Sequence, residues 1–79
     1  MPSASVAIKE YSGYRYTITI IANGALMGTA EAELWWQRQD KGAKRRYFGR
    51  RVAAIGADAA RRVEADFRDW VDGQLEATN

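Results

Sequence analysis

Seventy-nine residues with a formal net charge of +2 make one domain, residues 1–79, near the lower size limit for folding without staples. The chain holds neither cysteine nor histidine, which excludes disulfides, thiolate metal sites and imidazole-based acid–base or zinc chemistry. Its longest strongly apolar run, Ile18–Ala22, contains Thr19 and is far too short for a membrane span, and Met1–Ser5 lacks the charged and apolar regions of a signal peptide.

Residues 1–5, with Pro2, Ser3 and Ser5, read as a disordered start. Val6, Ala7 and Ile8 suit either a short edge strand or a docking tail, and Ser12-Gly13 suits a bend. The clearest strand is 14–21, where Tyr14, Tyr16, Ile18 and Ile20 alternate with Arg15, Thr17 and Thr19. Asn23-Gly24 signals a hairpin. The returning segment, 25–37, sets Leu26, Gly28, Ala30, Ala32, Leu34 and Trp36 on one face and Met27, Thr29, Glu31, Glu33 and Trp35 on the other.

Loop length follows from parity. A two-residue turn would pair Ile20 with Met27 and Tyr14 with Glu33, setting an apolar face beside a polar one along the whole ladder. A three-residue loop, Ala22-Asn23-Gly24, removes the mismatch and places Gly24 in the left-handed position. The expected pairs are then Ile20–Leu26, Ile18–Gly28, Tyr16–Ala30 and Tyr14–Ala32. They leave a shallow trough for Phe67 and Trp70, with an Arg15–Glu31 cross-strand pair on the opposite face.

Asp40-Lys41-Gly42 repeats the turn chemistry and introduces a third strand over roughly 44–52. There Phe48 pairs with Leu34, Tyr47 lies opposite Trp35, and Gly49 marks a bulge or break. Ala57 to Gln74 is the one long helix. Ala60, Val63, Phe67, Trp70 and Val71 recur at three- and four-residue spacing on a single stripe. Gly56 is a permissible N-cap, and Ile55 is expected beneath the helix start. Asp58–Arg62 and Glu64–Arg68 are favourable pairs, whereas Asp69, Asp72 and Glu76 at the negative helix end predict fraying after Gly73.

No catalytic constellation stands out. Ser3, Ser5 and Ser12 have no activating base, and Glu31 with Glu33, like Asp66 with Asp69, read as solvated acids. The strongest non-random feature is basic: Arg38, Lys41, Lys44, Arg45, Arg46, Arg50 and Arg51, interleaved with Trp35, Trp36, Tyr47 and Phe48. Cations engage phosphates and exposed aromatics stack on bases, so nucleic-acid binding is one reading. A solvated hairpin whose charge guards an edge strand, or one that pairs with the acidic helix within the chain or in a dimer, or with a protein partner, is the other. Trp35 beside Tyr47, with Arg15 and Arg45 nearby, is unusual for an uncovered sheet face. A homodimer, a ligand face, or Val6 and Ile8 folded over the patch would each account for it.

The element order and the aromatic and arginine residues of the outer face resemble the three-stranded-sheet-plus-helix DNA-binding domains of the plant AP2 and integrase arm-binding types, in topology alone. Tyr11-Ser12-Gly13-Tyr14 and Trp70-Val71-Asp72 are similar to the start and helix end of a family of small uncharacterised proteobacterial proteins. That resemblance, over roughly 11–74, implies a bacterial cytoplasmic source and no activity; Gly56 stands where such helices more often begin with threonine or serine.

The expectation is thus an α+β domain: a three-stranded antiparallel meander, with a possible fourth edge strand and one C-terminal helix on one face. Functionally it is a cytoplasmic, non-catalytic binding module without cofactor, metal, membrane or small-molecule substrate. Its partner is another protein or a second copy, with DNA or RNA binding by residues 38–51 as the alternative. The expected surface is Arg15, Trp35, Arg38, Lys41, Lys44, Arg45, Tyr47 and Arg51.

Overall fold

Four strands and one helix follow in order: β1 (Ala4–Tyr11), β2 (Tyr14–Ala22), β3 (Ala30–Arg38), β4 (Arg46–Ala53) and α1 (Gly56–Ala77). This computed structural model describes residues 4–22, 28–40 and 42–77. The strands form one antiparallel sheet in the order β1-β2-β3-β4, and α1 lies over β2, β3 and β4. The α+β class with a C-terminal helix is as expected, but the meander has four strands, not three. β1 is a full eight-residue strand starting at Ala4, so Val6 and Ile8 extend the outer face instead of folding over it.

The parity of the central hairpin is as the alternation required. Tyr14, Tyr16, Ile18, Ala30, Ala32 and Leu34 are all buried on the helix side. The register is not. Ile18 faces Leu34 where Gly28 was expected, a slide of six residues, and Ile20 faces Ala32. Gly28 lies outside β3 with φ 80°, a backbone conformation that excludes it from a strand. The proposed turn at Asn23-Gly24 lies outside the described residues. The slide also dissolves the Arg15–Glu31 pair: Arg15 reaches Glu10 at 3.3 Å, and Glu31 reaches Arg50 at 4.0 Å.

Sliding the strands sorts the core by size. Tyr14, Trp36, Phe48, Phe67 and Trp70 gather at one end, with Phe67 5.3 Å from Phe48 and Trp36 5.0 Å from Trp70 between ring centroids. Phe67 and Trp70 therefore cover aromatic rings and not the expected alanines. At the other end the helix comes close to the sheet, and Gly56 leaves so little room that a Cβ there would meet Ile20 Cγ2 at 2.6 Å. Ala59, also fully buried, belongs to the stripe although the spacing did not single it out.

The ends of α1 correct two expectations. The Ile55 carbonyl accepts hydrogen bonds from the N–H groups of Asp58 and Ala59, both at 3.1 Å, so Ile55 caps the helix and its side chain is 61% exposed. Asp58 pairs with Arg61, not Arg62. The helix does not fray after Gly73 but continues to Ala77; Val71 is buried and the Tyr11 hydroxyl donates to Asp72 at 2.8 Å, which secures the last turns.

One polar cluster ties sheet to helix. The buried Tyr16 donates its hydroxyl to Glu64 at 2.6 Å, and Lys9 and Arg68 reach the same carboxylate at 3.0 and 3.5 Å. Burial, then the Glu64 hydrogen bond, raises the Tyr16 pKa. Burial alone would raise Glu64 too, but hydrogen bonds from Tyr16 and Lys9 and the Arg68 charge outweigh it and hold the carboxyl below its ordinary value. A carboxyl with a depressed folded pKa stabilises above its unfolded value, about 4.3, and loses that contribution as pH falls through the folded value. A phenol with a raised folded pKa stabilises below about 10 and loses that contribution as pH rises. Urea midpoints should therefore fall below about pH 4.3 and above about pH 10. Glu64→Gln should flatten the acid limb, and an acid limb of unchanged steepness in that variant would contradict this assignment.

Candidate functional site

Period-two alternation turns one side chain in two away from the helix, and among the described residues no element covers that second face. The pairings bring its residues into rows across the sheet. One row is Ile8, Thr17, Trp35 and Tyr47. The row nearer the β3–β4 turn runs Glu10, Arg15 and Gln37, and Arg45, just before β4, lines the same depression as Arg15 and Gln37. On the other side lie Val6, Thr19, Glu33 and Arg50, and beyond them Ile21, Glu31 and Val52. Val6, Ile8, Tyr47 and Val52 are 61, 70, 48 and 43% exposed. Four open aliphatic and aromatic side chains thus share one sheet face.

Its centre is aromatic. Trp35 and Tyr47 meet edge to face, with centroids 5.1 Å apart, and the Arg45 guanidinium stacks over the indole at 5.0 Å. Arg15, Ile8, Thr17, Gln37 and Arg45 ring a small depression of about 90 Å³ beside Trp35. The face is charge-balanced: Glu10, Glu31 and Glu33 stand against Arg15, Arg45 and Arg50.

Of the residues singled out from the sequence, Arg15, Trp35, Arg45 and Tyr47 share this face. Arg38 does not. It lies across from Tyr14 on the helix side, stacks over that ring at 5.6 Å and pairs with Asp40 at 3.0 Å. Arg51 is also on the helix side, held by Asp66 at 2.6 Å, and that carboxylate raises its pKa. The cause is a bulge: Trp35 pairs with Tyr47 as expected, but Leu34 pairs with Gly49, which leaves Phe48 as the extra residue and reverses the side for everything after it. Lys44 stands exposed beside the turn, and Lys41 lies outside the described residues.

Sequence reasoning missed Val6, Ile8, Arg50 and Val52 as members of the face. The Val6-Ala7-Ile8-Lys9 alternation carried a signal for the first two; nothing local revealed the bulge that turns Arg50 and Val52 outward. No family model matches the chain, and neither the curated proteins nor the solved structures yield a match.

Proposed function

We propose that this chain is a non-catalytic binding module that self-associates through its outer sheet face. The supporting observation is that, in the two rows nearest the β3–β4 turn, the β1–β2 half of the face complements the β3–β4 half. A two-fold axis lying in the face, parallel to the strands and midway between β2 and β3, lays β1 of one copy over β4 of the other. Glu10 then meets Arg45, Ile8 meets Tyr47, Arg15 meets Gln37, and Thr17 lies over Trp35, each contact made twice. Four strands about 4.8 Å apart and some 27 Å long offer roughly 500 Å² in projection. Stable interfaces bury about 800 Å² per partner, so a dimer in the micromolar range is expected. A cysteine-free chain and the likeness to proteobacterial proteins support a bacterial cytoplasmic setting.

DNA or RNA binding by the whole segment 38–51 receives less support. The register divides its cations between opposite sides of the sheet and sets Glu31 and Glu33 on the outer one. A phosphate track needs its cations on a single side.

Sedimentation equilibrium tests the dimer. Glu10→Arg and Arg45→Glu should each weaken association by at least about tenfold, and the two together should restore it. A wild-type chain that stays monomeric to about 1 mM, or a double variant no better than either single one, would overturn the proposal.

A further inference from the structure

The helix side of the sheet holds a second feature, separate from the dimer face. Arg38 and Arg46 project there by parity and meet Lys44 around a cleft of about 420 Å³, with Trp36 as its apolar wall. Asp40 is the one acid among the described lining residues, and Arg38 engages it at 3.0 Å. Among the described residues no carboxylate lies within ion-pair distance of Lys44 or Arg46, although Arg46 is set over the Trp36 ring at 6.0 Å from its centroid. Among the described residues three cations face one acid across a concave, partly apolar space, so the site carries an excess positive charge beyond the Arg38–Asp40 pair.

We propose that this cleft binds a nucleoside phosphate, either as a free nucleotide or as a unit of a single strand. Guanidinium and ammonium groups are the side chains that hold phosphate oxygens. A flat base finds the indole and the stacked guanidinium as a platform. The volume lies in the range of small-molecule sites and exceeds what one phosphate group fills. The ligand reaches the cleft without touching Trp35 or Tyr47, so this site and the dimer face stand or fall independently.

The test follows the indole N–H signals of the three tryptophans in the labelled full chain. ADP, adenosine and a short single-stranded oligo-dT are added in turn. ADP should move the Trp36 signal and leave Trp35 in place, and adenosine, which lacks phosphate, should move neither. Lys44→Gln, at an exposed position without an ion pair, should keep its fold by circular dichroism and weaken binding at least about tenfold. Tighter binding of oligo-dT than of ADP assigns the site to a nucleic-acid strand; the reverse order assigns it to a free nucleotide. Silence from both, a response confined to Trp35, an equal response to adenosine, or unchanged affinity in Lys44→Gln each overturns the proposal.

Discussion

Phe67→Ala is expected to cost about 3–5 kcal/mol and to leave much of the domain unfolded at room temperature. At typical per-residue values a chain of this length is worth only roughly 4–12 kcal/mol in total. Phe67 has no exposed area, and its ring meets Tyr14, Tyr16, Trp36, Phe48 and Trp70 at centroid distances from 4.8 to 6.4 Å. Removing it deletes the side chain that meets both β2 tyrosines together with Trp36 of β3 and Phe48 of β4. The rings around it are large and anchored on two layers, so the cavity will not collapse cheaply. Urea denaturation reads the effect, and a loss below about 1 kcal/mol would mean that the helix does not sit over this cluster.

The two glycines of α1 are expected to respond with opposite sign to the same substitution. Gly73 sits inside the helix, exposed, with nothing near the position a Cβ would take. Gly73→Ala should stabilise by about 0.5–1 kcal/mol, because alanine loses less backbone entropy in a helix. Gly56 opens the helix where it comes closest to the sheet, and its added Cβ would lie 2.6 Å from Ile20 Cγ2 and 3.8 Å from Ala30 Cβ. A branched side chain on a packed strand has little freedom to retreat, so Gly56→Ala should destabilise by about 1–3 kcal/mol despite alanine's better helix propensity. Thermal midpoints of the two variants should move apart. A Gly56→Ala protein as stable as the wild type would show that the helix start lies farther from Ile20 than described.

The helix was legible because its stripe depends only on spacing along the chain. Val63, Phe67 and Val71 are buried as that spacing required. The candidate surface was legible in part: Trp35 beside Tyr47, flanked by Arg15 and Arg45, follows from alternation and one correct pairing. Arg38 and Arg51 were misplaced for two reasons. Arg38 lies near Lys44 but not on the face of Arg45, because parity sends it to the helix side. For Arg51, a single extra residue at Phe48 exchanged the two sides of the strand, and a bulge leaves no mark in composition.

By itself the amino-acid order determined which side chains share a side: Tyr14, Tyr16 and Ile18 with Ala30, Ala32 and Leu34, and Trp35 opposite them. Alternation is unchanged by any slide of an even number of residues, so it could not choose among registers. That choice belongs to three-dimensional packing. The observed slide sets Tyr16 beside Trp36 and Ile18 beside Leu34, so that large rings fill the space beneath Phe67 and Trp70. It leaves Ala30 and Ala32 where Gly56 and Ala59 bring the helix close. Volumes matched across two layers, which no single strand can encode, decided the register, the bulge and with them the cations that face each side.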